Sequence, residues 1–558
     1  MSGDGKEAAP SDTQGTMRRP LRHRSFREIW MSSLFSNLAL LILGVAAAWS
    51  MTSLSDSAQD VGLVQTTLML PFLFLAMPAG AIADSYDKRV VAMIALTAAV
   101  VCNVTLTTIA VVGGLTPAIL LIFCFLTGCA NALFAPSWQS SVPEQVPAED
   151  VGDAVALNSI SFNIARSFGP AVGGMIIATA GAAMAFGVTA LLYLPALLAF
   201  FRWKRVPEPP RFPPERVARA TISGIRFILH SSAMRAVILR TAAYCVAGSS
   251  IVGLMPLISK DMLGGDALTY GIMLAIFGVG AVIGAIYLAR LQALLPDGWH
   301  TEIAAAVVGI CVLVLAANRL FTVSLAVLLV AGISWTQLLT SLNLAVQVGA
   351  PRWVGGRVLA AFQATAAGGF AIGSWLWGYL AEVTSIPGSL VVSGLTLMAC
   401  AAAGRFVKGS ADLPDPTDAR ADLPEPEVAL AITAYSGPIA IELEYCIAPG
   451  DSRSFYKRMQ EVSRIRKRNG ASEWRLGRDI ADERRWKESF QYPTWQDYLR
   501  QRGRLTVEEY RLFRELSRLR LDKGPVRAVR YLERPVGSVR WSEDTPDWGV
   551  NPVSPRLP

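Results

Sequence analysis

The sequence predicts an all-α polytopic membrane protein of twelve transmembrane helices in two six-helix repeats, followed by a soluble α+β domain. Of its 558 residues, 52% are hydrophobic and only 17% are charged, and the mean hydropathy of +0.40 is too high for a soluble chain. Apolar segments of about 20 residues, enough to cross a hydrocarbon core about 30 Å thick, recur between residues 30 and 406. The chain after them is polar and alternates strand and helix patterns.

Breaks in hydropathy place the individual elements. Spans one to six are predicted at residues 29–52, 61–83, 90–112, 116–136, 154–178 and 183–202, and spans seven to twelve at 235–258, 268–289, 301–317, 321–344, 357–381 and 386–406. The predicted domains are an N-terminal segment at 1–28, a first bundle at 29–202, a central loop at 203–234, a second bundle at 235–407, a linker at 408–428, a soluble domain at 429–540 and a disordered tail at 541–558.

Basic residues set the expected orientation. Lys and Arg cluster in the loops that a cytoplasmic amino terminus would leave inside the cell, and the alternate loops carry little beyond Lys260 and Arg319. Both termini are therefore predicted to be cytoplasmic, with no cleavable signal peptide before the first span. The net charge of +8 reports this asymmetry together with a basic soluble domain, so no nucleic-acid partner is expected.

Cysteine and histidine give no sign of a metal or cofactor. The seven cysteines are scattered singly, without CxxC or His–Cys spacing, so neither a disulfide framework nor a zinc site is predicted. No catalytic residues are expected. The expected partners are a small-molecule substrate and the lipid bilayer.

The two halves of the membrane region echo each other about 200 residues apart. "GAIAD" at the end of span two matches "GAIYL" near the end of span eight, and "FNIARSFGPAVGG" in span five matches "FQATAAGGFAIGS" in span eleven. Such spacing is typical of parallel repeats packed around a central site. The second match pairs Asn163 with Gln363, Gly169 with Gly369 and Gly173 with Gly373.

Two short motifs resemble signatures of the major facilitator superfamily. "GAIADSYDKR" is similar to the signature between its second and third helices, with Ser85 and Asp87 as departures. "GPAVGG" resembles the fifth-helix signature of antiporters in that superfamily. Roles in conformational gating are expected for Gly80, Asp84, Lys88, Arg89, Gly169, Pro170, Gly173 and Gly174 of these two motifs. For the glycines of span five, close helix packing is the alternative, and Pro170 is expected to bend the span near its middle.

Longer stretches narrow the resemblance to one branch. "SFREIWMSSLFSNLA", "FAPSWQSSVPE" and "ALNSISFNIARSFGPAVGG" resemble the bacterial facilitators that include the enterobactin exporter. This resemblance implies export of a small amphipathic molecule, such as a siderophore, antibiotic or drug, across the bacterial inner membrane by alternating access, with proton coupling. An importer or facilitator of the same architecture is the alternative, because transport direction is not legible from sequence.

Arg166 is the clearest candidate for binding substrate. It lies near the bilayer midplane in span five, where an unpaired charge is costly unless it is functional or faces a wet cavity. Asn163 lies one turn away, Gln363 is its repeat counterpart across the cavity, and Asn37 is a weaker candidate. A structural arginine tied to backbone carbonyls is an equal alternative for Arg166. Arg240, near the start of span seven, is expected to reach the cytoplasmic surface.

Asp84, at the end of span two, is predicted to latch the two halves together when the cavity faces outward. Its partner would be the amino terminus of span eleven, where the helix carries about half a positive charge and where Arg357 adds to the attraction. Lys88 and Arg89 would fix the loop, and the alternative is that Asp84 caps span three. Asp84→Asn is expected to favour the inward-facing state and slow transport, which distances between labels on the ends of spans two and eleven would measure. An unchanged distance distribution would support the cap.

The soluble domain has the predicted order βαββαβ. "PIAIELEYCI" alternates as a half-buried strand, and "SRSFYKRMQEVSRIRKRNG" has helical spacing with a basic face. This order resembles the ferredoxin-like antibiotic-biosynthesis-monooxygenase domains, which implies pairing into a homodimer. The domain has no His and no nucleotide-binding Gly motif, so a regulatory or dimerising module is favoured over an enzyme. A membrane-anchored oxygenase or regulator is the remaining alternative.

Overall fold

The structure, a computed structural model, describes residues 19–205, 217–293, 299–351, 354–404, 428–430, 432–433, 436–502, 507–522, 524 and 526–533. The predicted linker, apart from residue 428, and the predicted disordered tail lie outside the described residues. The chain forms two compact units. Their described residues fall in Met1–Ala220, Ile238–Leu344 and Ala360–Lys408 for the larger unit, and in Thr221–Val237, Ala345–Leu359 and Gly409–Pro558 for the smaller one.

Eleven of the described helices are long and apolar enough to cross a membrane. They are Arg24–Leu54, Ala58–Ser85, Lys88–Val111, Pro117–Ser141, Val151–Arg202, Ser232–Gly248 with its short continuation to Met262, Ala267–Ile286, His300–Ala317, Phe321–Gly349, Gly355–Val383 and Ile386–Gly404. A shorter helix, Val217–His230, precedes span seven and is called the inter-repeat helix below.

The helix Val151–Arg202 comprises two spans. Its 52 residues would extend about 78 Å if straight, more than twice a hydrocarbon core. The helix breaks at Gly181, which has φ 80° and ψ 171°. Just beyond its two ends, Arg205 Nε donates to Glu144 Oε2 at 2.6 Å, so the two arms run antiparallel. Spans five (151–180) and six (182–202) are therefore separate, and the predicted twelve spans are confirmed.

The internal repeat is visible in helix packing within the larger unit. A Cβ atom at Gly173 in span five would lie 3.3 Å from Ile42 Cα in span one. A Cβ atom at Gly373 in span eleven would lie 2.9 Å from Val246 Cα in span seven. The same glycine contact thus recurs between equivalent helices at an offset of about 200 residues, as parallel repeats require.

The soluble domain is a four-stranded antiparallel sheet covered by helices. Its strands are β1 (Ile439–Cys446), β2 (Ser472–Arg478), β3 (Arg485–Tyr492) and β4 (Arg527–Leu532), in the order β2-β3-β1-β4. Its helices are Ser452–Arg468, Trp495–Arg502 and Val507–Leu519. This order is that of a ferredoxin-like domain, and the predicted βαββαβ succession is confirmed.

A buried carboxylate organises the core of this domain. Glu488 on β3 is fully buried and accepts hydrogen bonds from the Tyr445 hydroxyl at 2.8 Å, from Arg466 Nε at 3.2 Å and from Trp474 Nε1 at 2.9 Å. Burial, and after it the nearby Glu488 carboxylate, raise the pKa of Tyr445 well above its usual value. The network joins the helix Ser452–Arg468 to three strands.

The opposite face of the sheet is polar. Lys487 Nζ lies 2.7 Å from Glu442 Oε1, and Arg527 Nη1 lies 3.5 Å from Glu444 Oε2. These four charged side chains belong to neighbouring strands and project to the side away from Phe490 and the core. Cross-strand ion pairs of this kind suit a solvated face better than an apolar interface.

Candidate substrate site and gate

Polar contacts join spans one and five along the first repeat. Trp30 Nε1 donates to the Leu157 carbonyl at 2.8 Å, and the Ser33 and Ser161 hydroxyls lie 3.3 Å apart. Asn37 Nδ2 then donates to Ser161 Oγ at 3.5 Å. The structure therefore places Asn37 on the seam between these spans, half-buried, about one turn beyond Ser33.

Arg166 lies in the middle of span five, where the two repeats meet. Its guanidinium carbon is 5.8 Å from the centroid of the Phe277 ring in span eight, within range of a cation–π interaction. Among the residues that the structure describes, no acidic side chain forms an ion pair with Arg166. The site thus presents a positive charge that the described side chains do not neutralise.

The surface of span five beside Arg166 is apolar and exposed. Phe162, one turn before Arg166 on the same side of the helix, is 44% exposed. Ile164 and Phe168 are also exposed but lie on the opposite side. Because Arg166 contacts Phe277 of span eight, the exposed Phe162 lies on the side of span five that faces the second repeat.

Three amides lie on spans five and eleven. Asn163 is half-buried beside Phe162. Gln363 is exposed and lies on the side of span eleven opposite to the exposed Ile372. Sequence reasoning missed Asn158, whose Oδ1 is buried with no hydrogen-bond partner among the described residues. In the sequence, only the position of Asn158 one helical turn before Phe162 could have pointed to it. A substrate contact for Asn163 and Gln363 stays a prediction.

The "GPAVGG" motif forms a close crossing between spans five and eight. A Cβ atom at Gly174 would lie 2.9 Å from Gly271 Cα, and one at Gly271 would lie 2.7 Å from the Pro170 carbonyl oxygen. Nearer the middle of span five, Gly278 of span eight packs against the backbone of Arg166. Small residues let the two backbones touch over this stretch. The backbones of spans five and eight are therefore in close contact from Gly174 back to Arg166.

Spans two and eleven meet at one end of the helix bundle. Thr66 Oγ1 donates to the Ala371 carbonyl at 2.7 Å, and the Gln59 amide donates to Glu382 Oε2 at 3.1 Å. These residues lie near the start of span two and the end of span eleven, on the side away from the start of span one. We call this side of the bundle the far side. The two repeats therefore contact each other on the far side through two helix pairs, span two with span eleven and span five with span eight.

A charge cluster binds the loops of the first repeat on the near side. Lys88 Nζ donates to Glu144 Oε1 at 2.8 Å, and Arg205 contacts Glu144 at 2.6 Å and Asp87 at 3.4 Å. Asp87 also accepts from the Arg89 amide at 2.9 Å and so caps span three. The sequence alone did not identify Glu144 and Arg205 as partners of the motif, because they lie in two different loops.

The remaining predicted gating residues are only partly described. The backbone of Asp84 belongs to the helix Ala58–Ser85, but its side chain lies outside the described residues, so the latch stays a prediction. The alternative role of Asp84 as the cap of span three is wrong, because Asp87 holds that position. A Cβ atom at Gly80 would meet nothing within 4 Å. Arg357, near the start of span eleven, packs against Gly224 of the inter-repeat helix.

The expectation that Arg240 reaches the membrane surface is wrong. Arg240 is 8% exposed, and its Nη1 lies 3.2 Å from Oε1 of Glu302, which is 6% exposed. Arg240 also donates to the Gly404 carbonyl. Span seven is thereby tied to spans nine and twelve, and a charge that has such a partner need not extend to water.

Two buried amides form hydrogen bonds between spans. Asn131 Nδ2 donates to the Tyr193 hydroxyl at 3.2 Å, which joins spans four and six. Gln337 Nε2 donates to the Gly284 carbonyl at 2.8 Å, which joins spans ten and eight. Both contacts are structural.

Glu302→Gln is expected to lower the stability of the second repeat. Removing one partner of a buried ion pair leaves Arg240 uncompensated, at a cost of about 3–5 kcal/mol. Thermal unfolding of the purified protein in detergent measures the loss. The matched control is Glu28→Gln, which breaks the exposed pair with Arg24 and should leave the melting temperature almost unchanged. Equal melting temperatures for the two variants would contradict the prediction.

Twelve spans in two repeats, with glycine contacts between the repeats, are the architecture of a transporter of the major facilitator superfamily. Residues 16–536 match the family described as transmembrane secretion effector, and the chain belongs to that family.

Known relatives and solved structures agree with this assignment. The chain is 27% identical over 272 residues to the staphyloferrin A transporter of Staphylococcus aureus, covering 46% of this chain and 66% of the relative. It is 27% identical over 274 residues to the enterobactin exporter EntS of Shigella boydii, covering 48% and 64%. The matches thus span slightly less than two thirds of these relatives.

Solved structures show the same fold at low identity. A bacterial homologue of the human lysosomal transporter Spinster, in an inward-facing and unoccupied conformation, superposes with a TM-score of 0.58 at 12% identity, covering 71% of this chain and 98% of that one. A mutant of the nucleoside transporter NupG gives 0.59 at 12%, covering 69% and 100%. At this identity the likeness shows the fold alone.

Proposed function

We propose that this protein exports a small amphipathic molecule, such as a siderophore, antibiotic or drug, across the bacterial inner membrane. The observation that carries the proposal is Arg166, a cation without a described acidic partner next to the exposed Phe162. An anionic or strongly polar group of the substrate would bind Arg166, and its apolar part would lie against Phe162. Relatives named for enterobactin and staphyloferrin A support this class of substrate.

The proposed mechanism is alternating access between the two repeats. The far-side contacts, Gly174 with Gly271 and Thr66 with Ala371, close one end of the path. Release of substrate on that side requires these contacts to separate while the site stays between the repeats. With both termini in the cytoplasm, the far side is the outside of the cell, and export is the direction that we propose.

Proton coupling is expected only from the resemblance of the fifth-helix motif to that of antiporters. Proton antiport needs a titratable group within reach of the substrate. Glu302 is tied to Arg240 in a buried ion pair. Proton antiport stays a prediction. A homodimer through the soluble domain also stays a prediction.

Accumulation and resistance profiling tests the proposal. Cells with and without the protein would be loaded with labelled enterobactin, with labelled staphyloferrin A and with a panel of amphipathic antibiotics. The expected result is lower accumulation of at least one compound when the protein is present. Inverted and right-side-out vesicles separate export from import. Accumulation that does not depend on the protein for any compound, or uptake into right-side-out vesicles alone, would contradict export.

A further inference from the structure

The soluble domain contacts the inter-repeat helix within the smaller unit. Arg226 Nη1 of that helix donates to the Gly470 carbonyl at 3.4 Å. The guanidinium carbon of Arg468 lies 5.5 Å from the centroid of the Phe227 ring. The two groups of the soluble domain, the Gly470 carbonyl and the Arg468 guanidinium, both lie at the turn that ends the helix Ser452–Arg468.

This contact is packed and its geometry is specific. Phe227 is 2% exposed and Asn469 is 3% exposed. Gly470 has φ +103°, a conformation that side chains other than glycine rarely adopt. The turn from Arg468 to Gly470 therefore presents a carbonyl and a cation in fixed positions to the inter-repeat helix.

The same helix is connected to two spans of the second repeat. Its last residue, His230, is separated from the start of span seven by a single residue. Two turns earlier, a Cβ atom at Gly224 would lie 2.9 Å from Arg357 Cβ, near the start of span eleven. The soluble domain, the inter-repeat helix and the beginnings of spans seven and eleven are thus linked in one continuous set of contacts.

We propose that the soluble domain is an intramolecular clamp, which docks on the inter-repeat helix through the turn Arg468–Gly470 and restrains the near-side ends of spans seven and eleven. The inference rests on the proposed alternating access, in which span ends of one repeat move relative to the other. A docked domain must move with these ends or detach from them, so docking slows the cycle and release speeds it.

Hydrogen exchange of the full-length protein in lipid nanodiscs tests the docking. Arg468→Ala removes the cation above Phe227 and is expected to speed amide exchange across residues 217–230 by roughly tenfold, because local opening there becomes easier. Arg464→Ala, one turn earlier on an exposed position of the same helix, is the matched control and should leave exchange unchanged. Arg226→Ala should speed exchange at residues 469–470 from the other side.

Two results would overturn the clamp. One is unchanged exchange at residues 217–230 in both Arg468→Ala and a protein truncated after residue 428. The other is faster exchange with a transport rate no higher than that of Arg464→Ala. A failure of the proposed export would look different. Amide exchange would still respond to Arg468→Ala, but no variant would transport any tested compound.

Discussion

Arg166→Ala is expected to abolish transport while the protein stays folded in the membrane, and Arg166→Lys is expected to keep part of it. Arg166 supplies a positive charge between the repeats that has no acidic partner among the described residues. A hydrogen bond to a charged group contributes roughly 1.5–3 kcal/mol, so substrate affinity should fall by about 10- to 150-fold in the alanine variant. Lysine keeps the charge but loses the planar, multi-donor geometry.

Equilibrium binding to purified protein is the deciding measurement for Arg166. It separates a lost substrate contact from a slowed conformational cycle, which flux alone cannot do. The control is Arg319→Ala, which removes an exposed cation in the far-side loop between spans nine and ten. If Arg166→Ala binds substrate as tightly as the parent protein, Arg166 is a structural residue held by Phe277 and the backbone of span eight, and the proposed site is wrong.

Gly174→Val should have the second largest effect, a loss of at least about tenfold in transport rate through a shifted conformational equilibrium. Its Cβ atom would lie 2.6 Å from the Ala267 carbonyl oxygen and 2.9 Å from Gly271 Cα. Both neighbours are backbone atoms that cannot rotate away, so spans five and eight must separate. The far side then no longer closes fully, and the population shifts toward states open on that side.

Distances between spin labels at residues 184 and 261, on the far side, would show the shift directly. The matched control is Gly44→Val, the same substitution inside span one at a glycine whose added Cβ atom meets nothing within 4 Å. The control should keep the parent's distance distribution and transport rate. A Gly174→Val variant that matched the control in both measurements would show that the crossing tolerates the added bulk and does not act as a gate.

Much of the fold could be predicted from sequence because its signals are local. Hydropathy over about 20 residues locates a span regardless of its neighbours, and strand alternation around Ile441 or helical spacing around Phe455 locates elements of the soluble domain in the same way. The repeat was also legible, since glycine spacings in spans five and eleven match. The break between spans five and six also followed from hydropathy, which ended span five at residue 178 and began span six at residue 183.

Only the tertiary structure decided which side chains are partners. Arg240 and Glu302 lie in different spans, and an arginine near a helix end has the same sequence signal whether it extends to water or meets a buried acid. Glu144 and Arg205 lie in separate loops, and they meet Lys88 because spans five and six fold back as a hairpin. Such pairings depend on helix packing, which local pattern does not encode.

The sequence by itself determined the number of spans, their order, the repeat and the candidate Arg166, because each depends on residues close together in the chain. The tertiary structure decided what surrounds Arg166, how the "GPAVGG" crossing closes the far side and where the soluble domain docks. These depend on contacts between residues far apart in sequence, such as the backbones of Gly174 and Gly271, or the Arg226 guanidinium and the Gly470 carbonyl. Close packing selects them, and their free energy arises only when the helices meet.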